Sequence, residues 1–412
     1  MGVLVNYFDR VNLSVSHSGL YATFGISDIT FGYLLGAYNW TYAMCQLPIG
    51  VVLDRFGIKL VGRISTFLWS MASFAAALTP SIGGFFAARF LLGVGEAPTF
   101  PANAKAIGYW FPPRERSLAT SIFDSMAKFS SAIGVPLIGI LLLHVGWRLS
   151  FAATGTISFL YFLFFFWIYR DPKDDPGLTS EELSYIRSED TLPNVESGPL
   201  EQASLGYLLR RKKVIGLAIG FGSYNYVFYL LLTWLPSYLS RSLHIDLLHS
   251  FLYTGVPWLF ATIADLVVGG WIVDALVQRG WNANIVRRVV LIGGTALGLG
   301  ILGGAHAHSP AQALFWISVS ISGLSAAAPV GWSIPSLIAP RASVGTLGGI
   351  LNFANQISGI AAPIVTGYLV EARHSFALAF AVAAVYLAVG ICSYLFLLGD
   401  IKRILGEAHL AV

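Results

Sequence analysis

The sequence predicts an all-α membrane protein with twelve transmembrane helices arranged in two pseudo-symmetric six-helix bundles. Hydrophobic residues make up 56% of the 412 residues and charged residues only 11%, whereas a typical soluble domain carries about a quarter charged residues. The mean hydropathy is +0.69. A helix needs about 20 apolar residues to cross a bilayer. The chain has twelve such segments, at 1–24, 29–52, 60–79, 82–107, 117–144, 148–169, 214–239, 248–277, 289–307, 310–338, 343–370 and 375–399.

A long polar stretch divides these segments into six and six. It runs from Arg170 to Lys213 and ends in four consecutive basic residues. Within it, Thr179 or Ser180 is expected to cap a short amphipathic helix, and a plain linker is the alternative. The predicted parts of the chain are an N-terminal bundle at 1–169, a cytoplasmic central loop at 170–213, a C-terminal bundle at 214–399 and a cytoplasmic tail at 400–412.

The two halves carry similar sequences at matching positions. Gly50-Val-Val-Leu-Asp54 follows the second segment, and Gly270-Trp-Ile-Val-Asp274 follows the eighth, 220 positions later. Pro136 in the fifth segment and Pro363 in the eleventh have similar neighbours and are 227 positions apart. These offsets indicate a duplicated six-helix unit. Parallel repeats of this kind place a binding site between the halves, near the middle of the membrane.

Most basic residues fall on one side of the predicted topology. Of the 25 Lys and Arg residues, 19 lie on the side that holds both termini and the central loop. Because cytoplasmic loops carry an excess of Lys and Arg, both termini are predicted to be cytoplasmic. The basic pI of about 9.0 then requires no nucleic-acid partner. The remaining six are Arg148, Arg241 and Arg373 on the other side, and Arg10, Arg89 and Lys128 inside segments.

Four charged residues lie deep inside the first and fourth apolar segments, away from Lys105 at the end of the fourth: Asp9, Arg10, Arg89 and Glu96. A charge at this depth costs at least roughly 2.5 kcal/mol, so it usually faces a partner or a water-filled cavity. Arg89 and Glu96 are two helical turns apart, about 10.5 Å along one face. Such a set of acids and arginines is suited to handling an anion and a proton. A buried salt-bridge cluster that only locks the helices together is the alternative.

The sequence argues against an enzyme or a sensor. It contains no HExxH, no GxSxG and no phosphate-binding loop. Both cysteines, Cys45 and Cys392, lie within apolar segments, so neither a disulfide nor a Cys-based metal site is expected. The central loop has roughly 40 residues, too few to fold a signalling domain unaided. We therefore expect neither an enzyme nor a sensor, and no cofactor. The motifs described next imply instead a monomeric transporter with the proton as coupling ion.

The loop after the second segment resembles the signature of the major facilitator superfamily. The motif reads Gly-Val-Val-Leu-Asp-Arg-Phe-Gly-Ile-Lys from position 50 to position 59. The resemblance implies a tight turn and a cytoplasmic charge network that helps set the balance between two conformations. The residues of this conformational motif are Gly50, Asp54, Arg55, Gly57 and Lys59.

Two further motifs resemble the anion:cation symporter family within that superfamily. They are Asn6-Tyr-Phe-Asp-Arg-Val-Asn-Leu-Ser14 and Arg89-Phe-Leu-Leu-Gly-Val-Gly-Glu-Ala-Pro98. The family includes bacterial galactonate, glucarate and hexuronate importers, aromatic-acid carriers, and animal sialic acid and vesicular glutamate transporters. The resemblance covers essentially the whole chain. It implies proton-coupled import of a small organic anion, a sugar acid or another carboxylate, across a bacterial inner membrane. An exchanger or uniporter for an aromatic or dicarboxylic acid is the alternative.

The resemblance also implies roles for the buried charges. Asp9 and Glu96 would carry protons, Arg10 would bind the substrate carboxylate, and Arg89 would tune the acids. Our hypothesis is that protonated Asp9 releases Arg10 for the substrate, and that loss of the proton restores the Asp9–Arg10 pair and expels the anion. Only eight residues precede Asp9, about 12 Å of helix, so we expect the natural chain to begin further upstream.

Several other positions bear on the solute. Where sugar-acid importers of the family can carry a glutamine and a serine, this chain has Ala127 and Pro329. This difference weakens the case for a highly hydroxylated aldonate. Four residues match solute-contacting positions of the family, with packing or interface anchoring as the alternative: Tyr7, Tyr42, Trp332 and Asn352.

The fifth segment carries an additional charged pair. Asp124 and Lys128 are spaced i and i+4, which brings them together on one helix face. Either Lys128 binds a second substrate carboxylate, or the pair neutralises itself and is structural. Asp265 on the eighth segment is a further acid without an assigned role. Tyr224, Asn225 and Tyr226 are candidates for the seventh-helix wall of the cavity.

Overall fold

The computed structural model describes residues 1–111, 116–187, 203–340 and 343–404. In these ranges the secondary structure is helical, with no strand. A 3₁₀ turn at Pro172–Asp174 and π-helical segments at Asp265–Ile272 and Tyr394–Leu398 complete it. The α-helices are α1 (Gly2–Val15), α2 (His17–Phe24), α3 (Asp28–Leu78), α4 (Ile82–Glu96), α5 (Thr99–Trp110), α6 (Arg116–Ile168), α7 (Ser180–Arg187), α8 (Leu205–Leu209), α9 (Lys212–Ser242), α10 (Leu247–Ala264), α11 (Val273–Gln278), α12 (Ala283–Gly298), α13 (Ile301–Ala305), α14 (Pro310–Ile338), α15 (Val344–Arg373) and α16 (Ala377–Ser393).

The two longest helices each contain two of the predicted segments. α3 turns at Gly57 (φ 76°, ψ 168°) and α6 turns at Gly146 (φ 78°, ψ 168°). Only glycine adopts such a conformation without strain. Eight helices of the described residues are long and apolar enough to cross a membrane, and one of them, Ile122–Ile168, covers two predicted segments. The predicted all-helical membrane fold is confirmed.

Three of the predicted segments are interrupted near charged residues. The first breaks at Ser16, whose hydroxyl donates to the Asn12 carbonyl oxygen at 2.7 Å. The fourth breaks directly after Glu96, and the eighth changes to π-helix at Asp265. Irregular backbone at membrane depth is tolerated where it is buried in protein or lines a cavity, and π-turns are frequent at functional sites.

The central loop contains the short helix that its sequence predicts. The Glu182 backbone N–H donates to Thr179 Oγ1 at 3.2 Å, and the Thr179 N–H donates to Glu182 Oε2 at 2.9 Å. This reciprocal pair is a capping box, so Thr179 is the cap of α7. The rest of the predicted loop between 188 and 202 lies outside the described residues.

The N-terminal half (α1–α6) and the C-terminal half (α9–α16) meet through two similar helix pairs. In the first, a Cβ at Gly32 of α3 would lie 2.6 Å from the Pro363 carbonyl oxygen of α15. In the second, a Cβ at Gly255 of α10 would lie 2.4 Å from the Ala132 carbonyl oxygen of α6 and 3.1 Å from Pro136. The two prolines that mark the repeat therefore lie at equivalent contacts between the halves.

The end of the bundle opposite Met1, here called the far end, is closed. Arg241 at the end of α9 donates from Nη1 and Nη2 to the two carboxylate oxygens of Asp28, at 2.7 and 2.9 Å. His17 Nε2 lies 3.0 Å from Asp28 Oδ1, and the Ile29 N–H donates to Glu371 of α15 at 2.8 Å. Burial alone would raise the pKa of Asp28, but the hydrogen bonds from His17 and Arg241 hold it well below its usual value.

The opposite end, here called the near end, is open between the same helices. The α3–α15 contact reaches as far as Asn352, whose Nδ2 donates to Gln46 Oε1 at 2.9 Å. One turn beyond each residue, a Cβ at Gly50 or at Gly348 would meet no described atom within 4 Å. Gly345, another turn along α15, is equally free of neighbours. The halves thus meet at the far end and separate toward the near end.

Candidate functional site

Arg10 lies at the centre of the charged cluster. Its Nε donates to Glu96 Oε2 at 2.8 Å, and the two side chains are 4% and 0% exposed. The guanidinium carbon lies 4.7, 4.8 and 5.6 Å from the ring centres of Tyr7, Tyr38 and Tyr42. A guanidinium stacks readily on aromatic faces, and each such contact contributes about 0.5–2 kcal/mol. α1, α3 and α4 together therefore hold Arg10 in a fixed position.

Several polar atoms around this pair have no partner. Arg10 Nη2, Arg89 Nε and Glu96 Oε1 are buried and make no hydrogen bond within the described part of the chain. Arg89 is 3% exposed and lies 5.4 Å from the Tyr38 ring. Buried polar groups are nearly always hydrogen-bonded, so these atoms are positioned for a ligand or water. Free guanidinium donors are suited to a carboxylate.

Asp9 faces away from this cluster, into the N-terminal half. Ser73 of α3 donates to its Oδ1 at 2.7 Å, and Ser158 of α6 donates to its Oδ2 at 2.6 Å. The side chain is 1% exposed. The hypothesised Asp9–Arg10 pair is not the one that forms in this structure. Consecutive helical residues point about 100° apart, so Arg10 meets Glu96 while Asp9 meets the serines.

Two tyrosines that the sequence did not single out connect the halves beside Arg10. The Tyr38 hydroxyl of α3 lies 3.1 Å from the Tyr229 hydroxyl of α9. One residue further along α3, Asn39 Nδ2 donates to the Gly359 carbonyl oxygen of α15 at 2.9 Å. The helical spacing of Tyr38 and Tyr42, four residues apart, is the signal that could have identified Tyr38. Nothing in the sequence marks Tyr229.

Trp332 and Asn352 lie apart from the Arg10 cluster, toward the near end. Asn352 is hydrogen-bonded to Gln46 across the halves. Trp332 is 40% exposed, and its ring centre lies 5.1 Å from that of Phe221 in an edge-on arrangement. Of the four predicted solute contacts, the structure groups Tyr7 and Tyr42 around Arg10. Asn352 lies apart from them at a contact between the halves, and Trp332 packs against Phe221 of its own half.

Lys128 joins two carboxylates from different halves. Its Nζ donates to Asp124 Oδ2 at 2.7 Å, as the i,i+4 spacing predicts. The same Nζ lies 2.6 Å from Asp265 Oδ2, at the start of the π-helical segment of the C-terminal half. Tyr224 of α9 is within electrostatic range of all three groups. In this conformation both acids compete for Lys128, and binding of a second substrate carboxylate there stays a prediction.

A family model described as Major Facilitator Superfamily matches residues 1–363. The chain belongs to this superfamily. It is 40% identical to an uncharacterized transporter, YybO, of Bacillus subtilis (strain 168), over 98% of this chain and 93% of that one. It is 30% identical to a D-galactonate transporter of Escherichia coli O6:H1, covering 98% and 94% of the two chains. It is 32% identical to the probable galactarate/D-glucarate transporter GudP of Escherichia coli K12, covering 97% and 91%.

The superfamily fold is also evident from solved structures. The crystal structure of a bacterial homolog of the human lysosomal transporter Spinster, in an inward-facing and occupied conformation, superposes with a TM-score of 0.72. The match covers 95% of this chain and 94% of the other at 17% identity, which shows a common fold. The family match and the transporter relatives together identify the protein as a multi-pass membrane transporter and not an enzyme.

The superfamily loop motif lies at the turn between two spans. Gly57 provides the left-handed turn in α3, and Gly50 faces the open near end. The Arg55 guanidinium lies 5.4 Å from the Phe56 ring centre. The Asp54 side chain lies outside the described residues, so the charge network expected among Asp54, Arg55 and Lys59 stays a prediction.

Proposed function

We propose that the protein is a monomeric proton-coupled symporter that imports a sugar acid across a bacterial inner membrane by alternating access. The observation that carries this proposal is the buried Arg10–Glu96 pair, with free donors on Arg10 and Arg89 beside it. The relatives named for galactonate and for galactarate/glucarate support the substrate class. Galactarate and glucarate are diacids, so a dicarboxylate falls within the proposed range.

Glu96 is the acid that competes with the substrate for Arg10. While ionised, Glu96 occupies one side of the guanidinium. A proton on Glu96 removes that charge and leaves Arg10 to form charge-assisted hydrogen bonds with the substrate carboxylate. Loss of the proton restores the pair and expels the anion. Glu96 thus takes the place that the sequence-based hypothesis gave to Asp9.

Asp9 is the second proton carrier in this proposal. A proton on Asp9 would convert one carboxylate oxygen from acceptor to donor. The hydrogen bonds from Ser73 and Ser158 would then rearrange. Because these serines belong to α3 and α6, the proton would change how α1 packs in its own half.

The open near end serves release in this scheme. The distribution of basic residues supports a cytoplasmic near end, with both termini on that side. The anion would then leave to the cytoplasm from the conformation described here. Loading from outside would require the Asp28–Arg241 contact to open, so that the far end separates.

Uptake of radiolabelled D-galactonate and D-glucarate into proteoliposomes tests this function. We expect an imposed proton gradient, acidic on the side of entry, to drive accumulation of at least one of them in vesicles without internal substrate. An exchanger would accumulate label only with substrate inside, and a uniporter would equilibrate without accumulation. Either result, or no uptake of any carboxylate in a wider panel, would contradict symport.

A further inference from the structure

Asp265 is a buried carboxylate that the proposed cycle does not use. Its side chain is 0% exposed, and the residue is the first of the π-helical segment Asp265–Ile272 in the C-terminal half. The contact with Lys128 at 2.6 Å occupies Oδ2, whereas Oδ1 accepts no hydrogen bond within the described part of the chain. A buried carboxylate normally accepts several. Asp265 therefore has one oxygen, Oδ1, available for a proton.

The charges around Asp265 do not balance. α6 presents Lys128 and Asp124, α9 presents Tyr224, and α14 contributes no titratable residue over its whole length. Lys128 supplies one positive charge for two carboxylates, Asp124 at 2.7 Å and Asp265 at 2.6 Å. One negative charge is therefore in surplus, and it is most costly on Asp265, whose side chain is 0% exposed against 16% for Asp124.

We propose that Asp265 is a further proton-binding site of the transport cycle, whose occupancy is controlled by Lys128 of the opposite half. The inference rests on the proposed symport and adds a carboxylate outside the Arg10 cluster. The bound species is a proton from the aqueous phase, which forms an O–H bond on one Asp265 oxygen and leaves as the same proton.

The direction of the coupling follows from which helices carry the groups. When Lys128 is close, its positive charge favours ionised Asp265. Asp124 and Lys128 both belong to α6, so they move together as a neutral pair when α6 separates from the π-helical segment after α10. Asp265 is then left without a cation. Proton binding and separation of the halves then favour each other, since coupling between two equilibria is reciprocal. The Lys128 contact would expel the proton when it forms again.

The number of protons moved per substrate tests the proposal in proteoliposomes. The measurement finds the substrate gradient at which net flux is zero under an imposed proton gradient, with D-galactonate or D-glucarate as the probe. The ratio of protons to substrate follows from the two gradients. We expect Asp265→Asn to lower the ratio by about one proton, because one linked site is lost. Asp246→Asn, which changes an exposed acid before the same helix, should keep the wild-type ratio. An unchanged ratio in Asp265→Asn would refute the inference, whereas a wild type without proton dependence would refute the symport itself.

Infrared titration of the purified protein provides a readout for variants that no longer transport. Wild type should show protonated-carboxyl absorption to which Asp9, Glu96 and Asp265 contribute. The Asp265 band is the component that is missing from Asp265→Asn and kept in Asp246→Asn, and it should disappear as pH rises. In Lys128→Gln the band should persist to a pH higher by about one unit or more, a tenfold gain in proton affinity. A purely structural ion pair keeps Asp265 ionised throughout the working pH range and therefore predicts no Asp265 band in wild type. A band that is intact in Asp265→Asn, or unmoved in Lys128→Gln, would overturn the proposal.

Discussion

The two halves of the molecule have the same architecture but differ in the charges that they bury. In the described part of the N-terminal half five charged side chains are buried: Asp9, Arg10, Arg89, Glu96 and Lys128. In the described part of the C-terminal half, Asp265 is the only charged residue that is buried. The other buried polar groups of that half include the neutral amides of Asn225, Asn355 and Gln356. Duplication has therefore preserved the helix packing while the ionisable groups are concentrated in one half. We infer that the N-terminal half binds the anion, and that the C-terminal half completes the wall and contributes the single carboxylate of Asp265.

Of the substitutions that test this difference between the halves, Arg10→Ala should have the largest effect on carboxylate binding. Removing one member of a buried ion pair leaves the other charge uncompensated, at a cost of about 3–5 kcal/mol. We expect carboxylate binding to fall at least about a hundredfold, with a lower melting temperature, measured by calorimetry on the purified protein. Arg373→Ala, which removes an exposed arginine of the C-terminal half, is the matched control. Normal affinity in Arg10→Ala would place the anion site elsewhere.

Glu96→Gln should separate binding from coupling. The amide keeps the shape of the side chain but cannot ionise, so Arg10 stays available to the substrate at all pH values. We expect affinity at neutral pH to increase by about tenfold, the order of a partly compensated charge pair, and its dependence on pH to flatten. Glu181→Gln in the central loop serves as the control. If the affinity of Glu96→Gln followed pH as in wild type, Glu96 would not be the competing acid.

Replacing the serines around Asp9 should give a smaller change. Ser73→Ala and Ser158→Ala each remove a hydrogen bond to a carboxylate, worth about 1.5–3 kcal/mol. Without these donors Asp9 favours its protonated form, so coupled uptake should persist to higher pH. The measurement is the pH at which gradient-driven uptake is half-maximal. Ser70→Ala is a close control, because the Ser70 hydroxyl donates to the Phe67 carbonyl oxygen of its own helix; an equal shift there would indicate a general packing effect.

Tyr229→Phe should have the smallest effect and tests the C-terminal half. It removes one side of the hydrogen bond between the Tyr38 and Tyr229 hydroxyls. A hydrogen bond between neutral groups contributes about 1 kcal/mol, so affinity should fall by no more than about fivefold. Tyr253→Phe, at a position outside this contact, is the control. A loss as large as that of Arg10→Ala would show that the two halves contribute equally to binding.

The sequence was sufficient for features that depend on local patterns. Hydropathy located the spans, and the glycine of the loop motif marked the turn at Gly57. The cap of the central-loop helix was predicted at Thr179 or Ser180, and it lies at Thr179. In each case the controlling residues are neighbours along the chain, so helix propensity and hydropathy determine the outcome.

The pairing of the buried charges could not be predicted in this way. Arg10 and Glu96 are 86 positions apart, and the choice of Glu96 over Asp9 depends on how α1 is rotated against α4. Likewise the i,i+4 spacing revealed Asp124 as a partner of Lys128 but gave no sign of Asp265, which belongs to the other half. Such contacts arise from helix packing, and no local pattern encodes them.

The contact at Gly32 has a consequence for how the working cycle can be adjusted. A Cβ at this position would lie only 2.6 Å from the Pro363 carbonyl oxygen. Even alanine would therefore clash with α15 and destabilise the conformation in which the far end is closed. A single methyl group there should shift the population toward a conformation that is open at the far end, although it contacts neither the substrate nor the proton. Turnover rate is thus open to change at residues remote from any chemistry, through the fit of two backbones alone.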